Sequence, residues 1–111
     1  MKLATVAIAF LEYEDAPNKG KRRPVLILKE DEEMISVFKI STKYGNKSSY
    51  FRSKYFKIQD LSDAGLSQVS YIDTSHVRYL YKNKESGLKV IGHLSSRDVF
   101  RLTQFIHSNL E

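Results

Sequence analysis

The sequence predicts a small α+β domain, built from a mostly antiparallel, barrel-like sheet followed by one C-terminal helix. Its 111 residues match the size of one domain, and 41% hydrophobic with 28% charged residues is an ordinary globular balance. Six or seven short apolar runs follow one another at hairpin spacing, which is typical of an antiparallel sheet. The apolar period becomes helical only near the C-terminus. We therefore expect a single domain over residues 1–111.

The first third of the chain contains two predicted strands. Residues 3–11 are apolar and rich in strand formers, which indicates the first strand. Residues 12–23 are polar and contain a proline and a glycine, so we expect a long loop there. The apolar run at residues 24–28 (PVLIL) is bounded by charges, which is the pattern of a strand buried on both faces. Residues 30–33 are predicted to form a polar turn.

The middle of the chain continues this pattern. Apolar and polar side chains alternate over residues 35–40, which predicts a strand. Residues 43–49 include a Gly-Asn pair and are predicted to form a loop. The aromatic-rich residues 50–58 favour another strand, and residues 60–65 favour a turn.

Two further strand signals surround a polar stretch. Residues 69–72 and 76–81 are both strand-like, with polar side chains between them. A turn is predicted at residues 83–87, and a last short strand at residues 88–91. These segments complete the predicted sheet.

A capping pattern marks the start of the C-terminal helix. Ser95 precedes Asp98 by three residues, which is the spacing of a helix N-cap. The apolar side chains that follow recur at helical spacing: Val99, Leu102, Phe105, Ile106 and Leu110. They predict an amphipathic helix whose apolar stripe packs on the sheet.

The charge balance favours a polyanionic partner. The chain has 18 Lys and Arg against 13 Asp and Glu, a net charge of +5. It contains no cysteine, which excludes disulfides and thiolate chemistry. It contains no run of about 18 apolar residues, and its N-terminus is a poor signal peptide, so we expect a cytoplasmic protein without a membrane partner.

The histidines give no sign of a metal site. His76, His93 and His107 lack metal-ligand spacing, so we expect neither a metal nor a cofactor. The sequence also lacks a glycine-rich phosphate loop and a Gly-x-Ser-x-Gly elbow. His76 lies among polar strand residues and is the histidine best placed to contact a site.

One segment of the chain combines cations with aromatic rings. Residues 34–59 contain no acidic side chain and carry six cations, which are Lys39, Lys43, Lys47, Arg52, Lys54 and Lys57. Interleaved cations and rings fit single-stranded nucleic acid, because cations follow the backbone and rings stack on bases. A solvated basic face with core and edge-strand rings is an equal alternative.

A second basic group precedes the apolar run at residues 24–28. It consists of Lys19, Lys21, Arg22 and Arg23. A guanidinium at the start of a buried strand is well placed to bind a phosphate with two parallel hydrogen bonds. The alternative is a positively charged loop end without a ligand.

Four blocks of sequence resemble one known family in the family's order. Residues 20–28 (GKRRPVLIL) resemble the Gly-x-Arg-Pro-hydrophobic opening of the MazF/PemK toxins, the endoribonucleases of type II toxin–antitoxin pairs. Residues 37–42 (VFKIST) are similar to the family's strand ending in two hydroxyl residues. Residues 66–72 (LSQVSYI) lead to residues 77–80 (VRYL) as in the family, and residues 89–95 (KVIGHLS) precede the terminal helix.

The resemblance covers residues 5–110 and implies both a fold and an activity. It implies an SH3-like, MazF-type barrel that forms a homodimer and is blocked by a cognate antitoxin protein. It also implies cleavage of single-stranded RNA without a metal, in which the ribose 2′-hydroxyl attacks the adjacent phosphate.

The resemblance also assigns catalytic residues. Arg23 falls on the family's catalytic arginine, which stabilises the negative charge that develops at the phosphate. Ser41 falls on its catalytic threonine and Thr42 on the neighbouring serine. The order of these two residues is reversed, although both keep a hydroxyl.

A larger departure from the family lies at Asp73 and Ser75. Some members have arginine and aspartate at these positions, both implicated in acid–base chemistry. Positions 73 and 75 of a strand share a face, so Asp73 is a candidate for the displaced carboxylate. The general acid and base remain open among Glu14, Asp15, Asp73 and His76.

The remaining candidates are predicted to bind RNA rather than to catalyse its cleavage. They are Lys19, Lys21, Arg22, Lys43, Lys47, Tyr50, Phe51, Arg52, Tyr71, Ser75 and His76. Two other functions stay open on the same fold: a non-catalytic module that binds nucleic acid or a partner, and a toxin that acts on a protein, as the related gyrase inhibitors do.

Overall fold

The computed structural model describes residues 4–13, 15–82 and 87–109. Glu14 and Leu110 lie outside the described residues, as do residues 83–86 of the predicted turn. The strands are β1 (Thr5–Tyr13), β2 (Ala16–Glu30), β3 (Met34–Ser41), β4 (Tyr55–Lys57), β5 (Tyr71–Tyr81) and β6 (Lys89–His93). The helices are α1 (Ser49–Arg52) and α2 (Ser96–Ser108).

The strands form one antiparallel sheet in the order β4-β5-β3-β2-β1-β6. The α+β class and the C-terminal helix are therefore confirmed. Within the described ranges no ladder joins the two edge strands, β4 and β6, so the sheet is open at its edges. The barrel-like closure stays a prediction. No helix of the described chain is long and apolar enough to cross a membrane.

The strands β1, β2 and β3 are buried on both faces, because alternate side chains of each strand enter two separate apolar clusters. Leu26 belongs to the cluster beneath α2, whereas Val25 and Ile27 belong to the cluster on the other face. The α2-side cluster also holds Val6, Phe38, Ile40, Phe56, Ile58, Ala64, Ile72, Leu94 and Leu102. The strand predicted at residues 24–28 is confirmed, as is its burial on both faces.

The long loop predicted at residues 12–23 is wrong. β1 continues to Tyr13 and β2 begins at Ala16, so the two strands pair along this polar stretch. Backbone pairing extends the ladder even where the side chains are exposed. The polar composition of residues 12–23 therefore did not indicate a loop. Gly20 suits this arrangement, since a Cβ there would lie 2.2 Å from the Leu11 carbonyl oxygen.

The single strand predicted at residues 50–58 is also wrong in its first half. Ser48 caps the short helix α1, its hydroxyl accepting a hydrogen bond from the Phe51 backbone N–H at 3.4 Å. The residues of α1 are all exposed, so no buried face selects a strand. β4 begins at Tyr55, where the side chains become buried.

The predicted cap of α2 is confirmed, since the Ser95 hydroxyl accepts from the Asp98 backbone N–H at 3.1 Å. Leu102 is buried in the core, but Val99 is 38% exposed and lies outside it. Asp98 is fully buried, and its carboxylate accepts from the backbone N–H groups of Gln59 and Asp60 at 3.1 and 2.8 Å. This carboxylate therefore joins the start of α2 to the segment after β4.

Candidate active site

A cleft of about 310 Å³ opens at the C-terminal end of β1. Parts of β1, β2, β3 and β5 form its walls, together with α1 and β4. Its lining residues are Leu11, Glu12, Tyr13, Asp15, Arg23, Lys39, Lys47, Phe51, Tyr55, Asp73, Ser75, His76 and Arg78. The cleft therefore gathers cations, carboxylates, a histidine and aromatic rings in one place.

A bulge in β5 shapes one wall of the cleft. Lys39 pairs with Asp73 and Val37 pairs with Arg78, so β5 advances five residues while β3 advances two. Thr74 fastens the bulge, because its backbone N–H and its hydroxyl both donate to the Lys54 carbonyl, at 3.0 and 2.6 Å. A bulge re-aims the side chains around it, and here they include those of the predicted site.

Asp73, Ser75 and His76 form a continuous hydrogen-bonded chain within this wall. Asp73 is 8% exposed, and its Oδ1 accepts from the Ser75 backbone N–H at 2.9 Å and from the Ser75 hydroxyl. The same hydroxyl oxygen lies 2.9 Å from Nδ1 of His76. On its other side, Asp73 Oδ2 lies 4.0 Å from Nζ of Lys39, which compensates part of the buried charge.

Arg23 enters the cleft from β2, opposite Ala9 in the ladder. Its guanidinium makes no hydrogen bond or ion pair with any described residue, so it is available to an anion. Arg22 lies on the other face of β2, beside Gly87. A Cβ added to Gly87 would be only 2.5 Å from Nη1 of Arg22. Strand alternation thus separates two neighbouring arginines that the sequence presents as one basic group.

The rest of the cleft adds positive charge and rings. Lys47 and Arg78 line it, and Arg78 Nη2 donates to the Glu12 carbonyl at 2.6 Å. Phe51 is 39% exposed and Tyr13 is 40% exposed, so both present ring surface to solvent. Such rings can stack on bases while the cations contact phosphates.

Several predicted site residues lie outside the cleft. Ser41 is 8% exposed and its hydroxyl accepts from the Lys43 backbone N–H at 3.1 Å, so it stabilises the turn after β3. Thr42 is exposed at the same turn. Tyr71 stacks on Tyr44 with ring centroids 4.4 Å apart. The other predicted residues outside the cleft are Lys19, Lys21, Arg22, Lys43, Tyr50 and Arg52, and Tyr50 lines a separate cavity of about 170 Å³.

Lys39 and Arg78 line the cleft but were not among the predicted site residues, although Lys39 belongs to the basic segment at residues 34–59. Lys39 occupies the same strand face as Ser41, two residues away, so the prediction for Ser41 already pointed to it. Arg78 lies in the block at residues 77–80 that carries part of the family resemblance. No sequence pattern indicated Glu12 and Tyr13 as cleft residues, because both were predicted to lie in a loop outside the sheet.

A second concave surface lies at the N-terminal end of β1, and we name it the β6–α2 groove. It has a volume of about 700 Å³ and is lined by Ala4, Thr5, Val90, Gly92, His93, Leu94, Ser96, Val99, Phe100 and Thr103. Val90 and Phe100 are 54% and 64% exposed. The groove is thus largely apolar and lies between the edge strand β6 and α2.

No protein-family model matches the chain, and no curated protein shows significant similarity to it. The described residues include no group of three or more His, Asp or Glu side chains arranged to hold a metal ion. The chemical capacity of the cleft therefore rests on its own groups. A free guanidinium can bind an anion, and a carboxylate–hydroxyl–imidazole chain can orient a proton acceptor.

Proposed function

We propose that the protein is the toxin of a toxin–antitoxin pair, a metal-independent endoribonuclease of the MazF/PemK type that cleaves single-stranded RNA. The observation that carries this proposal is the cleft, where Arg23 and the Asp73–Ser75–His76 chain line one cavity. The four resembling sequence blocks, one of which supplies Arg23, support the choice of family. A MazF-type, barrel-like closure of the sheet belongs to the same proposal.

The proposed reaction needs a cation, a base and a proton source. The ribose 2′-hydroxyl loses its proton and attacks the adjacent phosphorus, and the bond to the 5′ oxygen breaks. The products are a 2′,3′-cyclic phosphate and a 5′-hydroxyl. Arg23 would stabilise the added negative charge with its planar guanidinium, and the nearby ammonium group of Lys39 raises the local positive potential.

The surroundings of the cleft support an RNA substrate. Phe51 and Tyr13 offer exposed rings for base stacking, and Lys47 and Arg78 offer cations for the flanking phosphates. The net charge of +5 further favours a polyanion. Selectivity for single strands follows, because stacking on a side chain requires an unpaired base.

The partners of the proposed toxin are a second copy and an antitoxin. The β6–α2 groove supports homodimerisation, because Val90 and Phe100 leave apolar surface exposed there. An acidic, partly disordered antitoxin segment suits the cationic cleft. Both partners, and the cytoplasmic location, follow from the family resemblance and are proposed on that basis.

Incubation of the purified protein with a long RNA in EDTA tests the proposal. We expect cleavage at a few sites, with cyclic phosphate and 5′-hydroxyl ends. A matched RNA with a 2′-deoxyribose at one mapped site should resist cleavage there, since it lacks the attacking hydroxyl. Intact RNA after prolonged incubation, or cleavage of the deoxy substrate, would contradict the proposal.

A non-catalytic RNA-binding module is the second candidate. The positions of Ser41 and Thr42 favour it, because neither hydroxyl lines the cleft that holds Arg23. The same experiment separates the two candidates. A binding module would shift the RNA in a gel and protect bases near the cleft without producing new ends.

A further inference from the structure

The hydrogen bonds around Ser75 determine which ring nitrogen of His76 carries the proton. The Ser75 hydroxyl has one hydrogen, and its short contact with the Asp73 carboxylate uses that hydrogen, because a carboxylate only accepts. The oxygen of the same hydroxyl then accepts from Nδ1–H of His76 at 2.9 Å. Neutral His76 is therefore protonated at Nδ1 and carries a lone pair on Nε2.

His76 is exposed and lines the cleft, and its Nε2 makes no hydrogen bond with the described residues. Among the described residues, the cations that line the same cleft are Arg23, Lys39, Lys47 and Arg78, and the acidic and phenolic groups are Glu12, Asp15, Asp73, Tyr13 and Tyr55. The cations can hold a phosphate beside the ring. A lone pair next to a bound phosphodiester is suited to accept a proton.

We propose that Nε2 of His76 is the general base of this site, an inference that rests on the proposed ribonuclease function. Nε2 takes the proton of the 2′-hydroxyl, the 2′ oxygen forms a bond to phosphorus, and the phosphorus–5′ oxygen bond breaks. The 5′ oxygen takes a proton from water, and the imidazolium returns its proton to solvent. Protons and electrons balance without a cofactor.

Asp73 and Ser75 are positioning residues in this arrangement. Both polar contacts of Asp73 Oδ1 are to Ser75, and Oδ2 faces Lys39, so the carboxylate holds the Ser75 hydroxyl and through it the ring of His76. The carboxylate fixes the hydroxyl, and the hydroxyl fixes the imidazole tautomer. The sequence analysis expected a catalytic role for Asp73, whereas this proposal gives the role of general base to His76.

The tautomer can be measured without any RNA. Nitrogen-15 NMR of the uniformly labelled protein at alkaline pH should show a protonated Nδ1 and an unprotonated Nε2 for His76. The exposed helical His107 is the internal control and should show the Nε2–H form that free imidazole side chains prefer. Ser75→Ala should revert His76 to that form and Ser75→Thr should preserve Nδ1–H. An Nε2–H tautomer in the wild-type protein would overturn the positioning chain.

Cleavage kinetics test the base itself. The wild-type kcat should rise with pH, because only the neutral imidazole has a lone pair on Nε2. His76→Gln should lower kcat about a hundredfold or more with little change in KM and should abolish this rise, whereas His107→Gln should retain both. Ser75→Ala should lower kcat about tenfold, and Ser75→Thr should restore it.

The outcomes separate this inference from the proposed function. If the wild-type protein cleaves RNA and Arg23→Ala does not, but His76→Gln keeps the wild-type rate and pH profile, the ribonuclease assignment stands and the base is wrong. If the wild-type protein leaves RNA intact, the proposed function and the base both fall. The NMR experiment then still decides whether the Asp73–Ser75–His76 chain orients the imidazole.

Discussion

The cleft and the β6–α2 groove lie at opposite ends of β1, and they differ most in chemistry. The cleft, of about 310 Å³, is lined by cations, carboxylates and a histidine that is hydrogen-bonded to Ser75. The groove, of about 700 Å³, is larger but apolar, and His93 is its one ionisable lining residue within the described chain. Volume alone would have selected the groove as the active site. The convergent polar groups select the cleft instead.

One sheet thus provides two kinds of surface, a charged cleft and an apolar groove. The bulge in β5 and the long β1–β2 ladder bring charged side chains of several strands to the cleft. The groove lies between the edge strand β6 and α2, where the exposed side chains of Val90 and Phe100 supply apolar surface. We therefore propose proton transfer and anion binding for the first surface and association for the second, and each proposal can be tested separately.

Arg23→Ala should give the largest effect on the cleft. Removing one donor that stabilises developing charge typically costs on the order of 3 kcal/mol, roughly a hundredfold in rate. RNA binding should weaken only modestly, because other cations remain. Arg23→Lys should rescue poorly, since an ammonium does not reproduce the two-pronged contact. The measurement is single-turnover cleavage, with circular dichroism as the check on folding.

Arg22→Ala is the matched control for that substitution. It removes the same charge from the next residue, but Arg22 lies beside Gly87 on the other face of β2. We expect cleavage to remain within a few-fold of wild type. Equal losses in the two variants would mean that net charge, rather than the placement of Arg23, governs the rate.

Phe100→Asp should have the next largest effect, and it should be confined to the groove. A carboxylate at this 64% exposed position would have to be desolvated on association, so the dimer dissociation constant should rise tenfold or more. Tyr79→Asp is the control, because Tyr79 is 63% exposed on β5 outside the groove. Sedimentation velocity over a concentration series measures the change. An unaltered dimer in Phe100→Asp would exclude the groove as its interface.

The sequence predicts more of the fold than of the site. Periodicity located the buried strand at residues 24–28, and the Ser95 cap located the start of α2, because both patterns are local. The β1–β2 ladder was missed, since backbone pairing across Glu12 and Gly20 leaves no apolar signal. The polar interruption before His76 proved to be a bulge inside one strand rather than a gap between two.

For the site, strand register decided which predictions came together. Alternation places Arg23 in the cleft and Arg22 outside it, and a sequence motif that contains both cannot separate them. The bulge brings Asp73, Ser75 and His76 into one hydrogen-bonded chain, which a regular strand would have divided between two faces. Ser41 was expected to contact phosphate, but its hydroxyl is used by the turn after β3.

Lys47→Ala should have a smaller effect, a weaker salt dependence of RNA binding at the cleft. Each phosphate contact to a single strand contributes about 0.7 to the slope of log affinity against log salt, so the slope should fall by roughly that amount. Lys57 lies in the same acid-free segment but outside the cleft, so Lys57→Ala should leave the slope unchanged. Fluorescence anisotropy at several salt concentrations measures both. Equal changes would extend the RNA-binding surface to the whole segment.

The smallest expected effect is on acid stability, and it arises from two carboxylates outside both surfaces. A hydrogen bond from Lys82, whose Nζ lies 2.8 Å from the carboxylate, is the largest of the causes that together lower the pKa of Glu30 from 4.5 to about 2. Hydrogen bonds from Arg97 and then Ser95 lower the pKa of Asp60 below its usual value. Because folding lowers both pKa values, the stability they contribute is present above about pH 4.5 and is lost as the pH falls through the folded values.

Lys82→Ala should remove much of the contribution of Glu30, and Arg97→Ala much of that of Asp60. The melting temperature of each variant should therefore fall less steeply than that of the wild type between pH 5 and pH 2, as followed by circular dichroism. The differences should be small, because both ion pairs are partly solvated. Cleavage by the cleft at neutral pH should stay unchanged in both variants. An unchanged dependence of the melting temperature on pH in Lys82→Ala would show that the Glu30–Lys82 pair contributes nothing to acid stability. A loss of cleavage in either variant would mean that the cleft depends on these distant pairs.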